Sequence, residues 1–466
     1  MKFRHLILPA SLLLASCVLG PDFQTPGDTG GSKWKETRAT AGTRLPDNWW
    51  RLFNDRELTR LVDRALSNNN DLAAAKARVD TARALVGVDR ARMFPTLDLN
   101  GSAGVSRASR DTVGSQLPPG ISVDLSSQHY RGSFDLAYDP DLWGRNKRLI
   151  EASTAQAAAS EALWDSLRLG VATEVARQYF LLRGLDAQKS VIVETIRSRQ
   201  STLDLQKSKA DAGLIDGLST SQARTELELA KNDLAQIERQ RGSAEHALAV
   251  LCGSRPSDFS VSNREPNNSL PSIRAGLPAE VLNRRPDVRA AEQNLRAANA
   301  RIGVAEAAFY PNFNLIAGGG LESLSASNFL NWENRILSLG AGVAAPIFDG
   351  GTNKANFQAA ISRRDEALAT YKNTLLVALR EVEDALVDLK GLAGSRSALN
   401  QALASARDTQ RISKDRYDKG ISSYLEVVEA DRTVLRVQLV LAQIEAQQRI
   451  TLAALAKALG GGWSGK

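Results

Sequence analysis

The sequence of this chain contains two similar copies of one long segment, and that duplication constrains the fold more than any other feature. The stretch DLAAAKARVDTARALVGVDRARMFPTLDLNGSAG, from Asp71, aligns without a gap on DVRAAEQNLRAANARIGVAEAAFYPNFNLIAGGG, from Asp287. The matched glycines and prolines are Gly87 with Gly303, Pro95 with Pro311, Pro140 with Pro346, and Gly213 with Gly420. Two long copies indicate a duplicated domain and not a solenoid of short repeats.

Each copy contains two segments in which apolar and polar residues alternate. In YRGSFDLAYD, apolar Phe134 and Leu136 alternate with polar Ser133, Asp135 and Asp139. This period of two predicts strands with one apolar face, a pattern that a half-buried soluble sheet would share. The predicted strands span roughly 95–106 and 129–139 in the first copy, and 311–323 and 336–346 in the second.

Two proline-free stretches, 145–212 and 352–419, follow the strands. At ~1.5 Å per residue, each would form a helix on the order of 100 Å long. A sustained period of seven residues predicts long helices that pack side by side with a supercoil. The residues with this period are Ile361, Leu368, Leu375, Val382 and Leu389 in the second stretch, and Ala223, Ala230, Ile237, Ala244 and Leu251 after Gly213.

Four strands with one apolar face do not close a membrane barrel, and an unpaired strand edge in lipid is costly. Bacterial barrels begin near eight strands, so several chains are expected to share one barrel. Three chains would supply about twelve strands, and their helices would continue the barrel as a tube. A long soluble coiled coil would explain the helices but would leave the paired strands without a role.

The first residues have the form of a bacterial export signal. Lys2 and Arg4 precede the apolar run LILPASLLLA, and LASC ends at Cys17. LASC resembles the lipoprotein signal, in which residues 1–16 are removed and the cysteine is lipidated, and Val18 after it favours the outer membrane. An ordinary cleaved signal with a chance cysteine is the alternative. No later segment has the roughly twenty apolar residues that a spanning helix needs.

The composition argues against several other classes of function. The net charge of +7 is spread along the chain without a basic run, so nucleic-acid binding is not expected. His5, His129 and His246 have no neighbours that would complete a metal site. No nucleophile–base pair or phosphate-binding loop is present. We therefore predict no enzyme activity and no cofactor except a covalent lipid on Cys17.

Several motifs resemble the outer-membrane efflux factors of the TolC type, in the lipoprotein branch that serves resistance-nodulation-division (RND) pumps. The resemblance extends from Cys17 to about Leu459. Arg56, where the family often has proline, and Asp139-Pro140, at a strand end, are small departures that leave the fold unaffected. The motifs are GPDF after the cysteine, WWRLFNDRELTRLV, DLWGR, LNRRPDVRAAEQNLRAANARIGVAEAAFYP and APIFDGG.

The resemblance implies a mainly α protein with β-strands that forms a homotrimer. Long antiparallel coiled-coil helices would build a periplasmic α-barrel, continuous with a shared 12-stranded transmembrane β-barrel to which each chain gives four strands. It further implies lipid anchoring in the outer membrane of a Gram-negative bacterium, with a large periplasmic extension. A periplasmic adaptor would join the channel to an inner-membrane RND-type pump. The implied function is passive conduction of substrates from that pump to the exterior.

Together these patterns divide the chain into six segments. They are the lipoprotein signal peptide at 1–16, an anchored N-terminal segment with an equatorial region at 17–70, the first repeat at 71–252, a linker at 253–285, the second repeat at 286–459 and a tail at 460–466.

Two alternative functions stay open. A type I protein-secretion conduit would have a similar sequence. A lipid-anchored periplasmic coiled-coil scaffold would share Cys17 and the heptads, but it would not need the strands whose turns to the helices carry Pro95, Pro140, Pro311 and Pro346. The scarcity of methionine and histidine argues against a copper or silver system.

Two equivalent turns interrupt the helices, and each begins with a glycine that would end the first helix in the left-handed conformation. The resemblance makes these turns the tips on which the adaptor docks. The turns are Gly213-Leu214-Ile215 and Gly420-Ile421-Ser422.

Glu426, Glu429 and Arg432 follow the second turn. A structural interpretation is that Ser423 and Glu426 form a capping box and that Glu429 pairs with Arg432. The resemblance suggests instead that these residues line the periplasmic aperture, where related proteins commonly carry aspartates. The first copy has no carboxylate at the two equivalent positions, although it must make the same turn.

Overall fold

A computed structural model of the chain describes residues 18–27, 33–36, 45–109, 111, 124–264, 270–276 and 278–461. The predicted signal peptide and Cys17 lie outside the described residues, as do all but the first two residues of the predicted tail. The predictions for those segments therefore stay predictions.

Within the described residues, eight α-helices and four β-strands follow one another. The helices are α1 (Arg56–Asn68), α2 (Asn70–Ala91), α3 (Arg145–Asp211), α4 (Gly217–Leu251), α5 (Pro278–Arg284), α6 (Pro286–Ala307), α7 (Thr352–Asp418) and α8 (Tyr424–Ala458). The strands are β1 (Thr96–Arg107), β2 (Ser126–Tyr138), β3 (Asn312–Ser323) and β4 (Arg335–Ala344).

The predicted elements are confirmed, with ends that differ by a few residues. The two copies have helices of matching length: α2 and α6 have 22 residues, α3 and α7 have 67, and α4 and α8 have 35. β2 ends at Tyr138, so the predicted place of Asp139 on a strand face was wrong. The carboxylate of Asp139 instead accepts a hydrogen bond from the Asp141 N–H at 2.9 Å, in the turn that leads to α3.

The four prolines singled out in the sequence lie at the ends of the strands. Pro95 and Pro311 directly precede β1 and β3, whereas Pro140 and Pro346 follow shortly after β2 and β4. Proline has no N–H to donate to a strand ladder, so it is tolerated at strand ends and not in the interior of a sheet.

The strands form one antiparallel sheet in the order β1-β2-β3-β4. Leu99 lies opposite Phe134, Phe134 opposite Gly319, and Gly319 opposite Leu337. Directly opposite residues share a face, so these apolar side chains lie together. Leu99 and Leu337 are 71% and 90% exposed in the single chain. The predicted apolar face is confirmed, and the described chain leaves it largely uncovered.

On the β1–β2 pair, the opposite face is polar. Asp98 lies opposite Asp135 across the β1–β2 pair. Asn100 Nδ2 donates a hydrogen bond to the Asp135 carboxylate at 2.7 Å, and Ser133 Oγ donates to it at 2.9 Å. In these two strands, the alternation predicted from the sequence therefore separates apolar and polar groups onto opposite faces.

The described contacts divide the chain into two compact units. The first unit contains the described residues up to Thr25, with Asp80–Ala159 and Glu292–Ala369, and includes the sheet. The second contains the described residues of Pro26–Val79, Ser160–Ala291 and Thr370–Lys466. Each unit takes segments from both sequence copies.

An aromatic core holds the second unit together. Trp49, Phe53, Tyr179 and Phe180 are buried, and the rings of Phe53 and Phe180 lie 4.8 Å apart. Fully burying a side chain the size of phenylalanine contributes ~1.5–3 kcal/mol. Phe259, within the predicted linker, is buried in the same core, so part of that linker is packed.

The seven-residue pattern of α4 matches its buried face. Ala223, Ala230, Ile237 and Ala244 are all buried, as the pattern predicts. Small side chains at such positions allow neighbouring helices to approach closely. None of the described helices is both long and apolar enough to cross a membrane.

Candidate functional site

The two predicted turns both lie in the second unit, each after a helix of 67 residues. Gly213 and Gly420 have φ of +71° and +72°, so each glycine ends its helix in the left-handed conformation, as predicted. The Leu214 N–H donates to Lys209 O at 2.9 Å, and the Ile421 N–H makes the equivalent bond. These bonds satisfy carbonyls that the helix end would otherwise leave free.

The side chains that the two turns present are apolar and open to solvent. Leu214 is 74% exposed and Ile421 is 63% exposed, while Ile215 and Ser422 are half-buried. Their exposure leaves both side chains accessible to a partner. The role of these turns as adaptor-docking tips stays a prediction.

The capping box predicted at the start of α8 was wrong. Ser423 is the N-cap residue, but its side chain makes no cap hydrogen bond. The carboxylate of Glu426 lies 3.9 Å from Arg416 Nε, on the far side of the turn. Both side chains are about half exposed, so this contact contributes little to stability. In the first copy Asp216 does cap its helix, since it accepts a hydrogen bond from the Leu218 N–H.

The predicted pair of Glu429 and Arg432 is confirmed at 2.7 Å, and it belongs to a larger cluster. Arg432 Nε also donates to Glu226 Oε1 on α4 at 2.9 Å. The other carboxylate oxygen of Glu226 lies 3.0 Å from Arg199 Nη2 on α3. Glu226 and Arg199 are buried. One carboxylate thus links α3, α4 and α8, and we call these four residues the three-helix charge cluster.

Two pKa shifts beside the cluster reflect hydrogen bonding and burial. The hydrogen bond to Glu226 raises the pKa of Arg432. Burial raises the pKa of Asp431, although Gln410 Nε2 donates to its carboxylate at 2.8 Å. For Asp431, a raised folded-state pKa means that the neutral carboxylic acid is favoured in the fold. The stabilisation is therefore present at low pH and is lost as pH rises through that pKa.

A pair of tyrosines, on α7 and α8 beside the second turn, contacts α3. Tyr417 OH donates to Gln206 Oε1 at 3.0 Å, and Lys209 Nζ lies 5.1 Å from the centroid of the Tyr417 ring. The rings of Tyr417 and Tyr424 are 5.5 Å apart. Burial raises the pKa of Tyr424 to about 12, so this hydroxyl stays neutral at physiological pH.

Glu226 and Arg199 were not identified from the sequence, although a signal for Glu226 exists. Glu226 lies three residues after Ala223 and four before Ala230, which places it on the buried face of α4. A carboxylate at such a position requires a buried partner, because an unpaired charge there would be costly. Its buried partner, Arg199, lies on another helix. The separation of the two residues in the sequence does not predict that they are in contact.

A groove of about 460 Å³ runs beside Glu426 and Glu429. In the part of the chain that the structure describes, no three His, Cys, Asp or Glu side chains are grouped to hold a metal ion. The groove offers two negative charges and an open space, which suit contact with a partner or conduction. The remaining lining residues are mostly small, and they are Ala406, Thr409, Ser413, Ser423, Leu425, Ala430 and Thr433.

Comparison with known proteins places the chain in one family. The sequence model of the family described as "Outer membrane efflux protein" matches residues 61–254 and 277–461. The chain is 34% identical to the solvent efflux pump outer membrane protein SrpC of Pseudomonas putida, over 100% of this chain and 99% of that protein. It is 32% identical to the outer membrane protein OprJ of Pseudomonas aeruginosa, over 97% and 94% of the two chains.

Solved structures agree with the sequence comparison. The structure of the outer-membrane channel OprN matches with a TM-score of 0.88 and 30% identity, over 96% of this chain and 100% of that one. The similarity thus includes both the helices and the sheet.

Proposed function

Because this chain belongs to the outer membrane efflux protein family and is the outer-membrane channel subunit of an efflux system, we propose that three copies share one conduit. Each copy would supply four strands to a twelve-stranded transmembrane β-barrel and its long helices to a periplasmic tube. Such a channel conducts substrates passively and performs no chemical step.

The uncovered apolar face of the sheet carries this proposal. Leu99, Phe134 and Leu337 are large, apolar and exposed in the single chain, and lipid would cover them. Within the described chain, β1 and β4 each pair on one side. An unpaired edge in lipid is costly, and pairing β4 of one copy with β1 of the next removes every edge.

The purified protein tests this assembly. We expect a trimer by native mass spectrometry, and stepwise conductance when it is added to a planar lipid bilayer. A monomer that adds no conductance would instead support the lipid-anchored scaffold. A deletion strain that loses a secreted protein but keeps its toxin resistance would support the secretion conduit.

The partners follow from the same proposal. SrpC is named as a component of a solvent efflux pump, which supports an adaptor and an RND-type inner-membrane pump as partners of this chain. The exposed turns at Leu214 and Ile421 fit the adaptor contact. Growth of a deletion strain on a panel of solvents, dyes and antibiotics would identify the cargo.

The lipid anchor is a separate part of the proposal and rests on LASC ending at Cys17. We expect Cys17→Ala to lose incorporation of labelled palmitate, while some protein still reaches the outer membrane because the barrel also holds it there. Palmitate labelling and membrane fractionation measure the two effects. Cys252→Ala, which removes the buried free thiol, is the matched control and should keep the label. Continued labelling of Cys17→Ala would disprove the anchor.

The aperture role of Glu426 and Glu429 predicts a modest electrostatic effect. A charge about 7 Å away contributes roughly 0.6 kcal/mol in bulk water, a factor of about 3. We expect Glu426→Gln with Glu429→Gln to weaken the block of trimer conductance by multivalent cations by about that factor, with helix content unchanged.

A matched control is Asp408→Asn with Asp415→Asn, which removes two exposed carboxylates from surface pairs on α7. This variant should keep the wild-type cation block. If the glutamate variant also keeps it, Glu426 and Glu429 are surface charges that serve the turn, and the aperture lies elsewhere.

A further inference from the structure

The segment Val18–Thr25, which directly follows the predicted lipidation site, lies in a slot between α3 and α6. Arg148, in the first turn of α3, is the centre of this slot, and its side chain is only 6% exposed. Its guanidinium donates to Leu19 O and Gly20 O, both at 2.9 Å, and to the Asp22 carboxylate at 3.0 Å. One buried arginine thus holds the backbone of the segment at two successive residues.

Close glycine contacts shape the slot. A side-chain carbon at Gly303 of α6 would lie 2.5 Å from Leu19 O and 2.9 Å from Arg148 Cγ, so only glycine fits there. Gly20 has φ of +89° and packs directly against Gly303. At Gly144, an added carbon would lie 2.9 Å from the Val18 backbone. The segment therefore enters the slot at the first residue after Cys17.

Further contacts come from α6. Asn299 Nδ2 donates to Pro21 O at 2.8 Å, and the guanidinium of Arg296 lies 4.8 Å from the centroid of the Phe23 ring. Thr25 Oγ1 donates to Glu292 at 3.0 Å. Since Arg148 belongs to the first sequence copy and Asn299 to the second, the segment contacts both copies.

The duplicated sequence provides an internal comparison. Ala355 occupies the position of Arg148 in the second copy, since α3 and α7 begin at Arg145 and Thr352, and Gly87 occupies the position of Gly303. Ala355 is exposed, and a side-chain carbon at Gly87 would meet no atom within 4 Å. Within the described chain, the slot is therefore built in only one of the two equivalent places.

The slot lies at the base of the strand pair that joins the two copies. β2 leads into α3, and α6 leads into β3. β2 and β3 pair with each other, and Tyr138 lies opposite Leu315 near their helix-side ends. A link between α3 and α6 therefore holds together the two helices that enter and leave this pair.

We propose that Val18–Thr25 is a strap that fastens α3 to α6, and that Arg148 and Gly303 form its receptor. The strap fixes the position of Val18, the first residue after Cys17, at the junction of helices and strands. It also makes the β2–β3 junction stiffer than the equivalent ends of the outer strands, where no strap lies in the described chain. This inference does not depend on the cargo or on conductance.

Hydrogen exchange of the purified full-length protein tests the strap. We expect Gly303→Ala and Arg148→Met to speed exchange of the Leu19 amide, which donates to Trp143 O, by at least about tenfold. Amides at the start of α3 and in the β2–β3 pair should also exchange faster, whereas α8 should not change. The controls are Gly87→Ala, at the equivalent glycine, and Lys354→Met, which removes an exposed basic side chain from the first turn of α7. Both should behave like the wild type.

Equal protection of the Leu19 amide in all four variants would overturn the strap. So would faster exchange at Leu19 with no change in the β2–β3 pair, because the segment would then be bound without fastening anything. If Gly303→Ala fails to accumulate, Arg148→Met against Lys354→Met decides the question. Conductance measured on the same samples reports separately on the channel, so a failure of the strap and a failure of the channel can be told apart.

Discussion

Replacing Leu214 or Ile421 with arginine is expected to abolish efflux while the trimer and its abundance stay intact. Both side chains are exposed at the turns, so neither change disturbs a packed core in the described chain. A central anchor of a protein interface commonly contributes ~2 kcal/mol or more, which is roughly a thirtyfold change in affinity. Desolvating the new arginine adds to that loss. Toxin resistance should fall to the level of a deletion strain.

Val250→Arg is the matched control, since it places the same charge on an exposed apolar position near the other end of α4. This control should keep both resistance and adaptor binding, measured with the purified adaptor. Full resistance in the Leu214→Arg and Ile421→Arg strains would show that the adaptor docks elsewhere.

Glu226→Gln is expected to give the second large effect. The helix ends next to the two turns should pack less tightly against one another. The substitution removes the negative charge between Arg199 and Arg432, which leaves one buried arginine without its ionic partner. Removing one partner of a buried ion pair costs ~3–5 kcal/mol. Arg432 is itself partly exposed, so we expect the lower end, about 3 kcal/mol.

Hydrogen exchange in the first turns of α8 measures this loosening, and a higher conductance of the trimer would accompany it. Glu228→Gln is the matched control on the same helix, because Glu228 pairs with Lys231 at the surface. Such exposed pairs contribute at most ~0.5 kcal/mol. If the two variants exchange at the same rate, the three-helix charge cluster does not hold the helices together.

Local patterns in the sequence were sufficient for the elements of the fold and for the apolar face of the sheet. These patterns affect the backbone conformation only within a few residues. They are the prolines at the strand ends, the proline-free stretches of matching length and the glycines at the turns. The second copy supports each of these predictions, because equivalent positions in the two copies must adopt the same backbone conformation. The exposure of Leu214 and Ile421 also agrees with their place at a turn.

The capping box failed, Asp139 lies just past its predicted strand, and the contacts that the sequence did not predict join residues distant in the chain. Ser423 and Glu426 have the spacing of a capping box, yet the Ser423 side chain makes no cap hydrogen bond, and Glu426 lies 3.9 Å from Arg416 across the turn. The partners of Glu226 lie on α3 and α8, and neither spacing is a local one. The fastening of the N-terminal segment by Arg148 is of the same kind.

The sequence by itself therefore determined the helices, the strands, the turns and the family of this channel. Only the tertiary structure decided which charged side chains are paired, where the segment after Cys17 lies, and that one of the two copies builds a slot for it. The physical reason is that backbone conformation depends on near neighbours, whereas a buried charge depends on whichever group the packing of separate helices brings within hydrogen-bond distance.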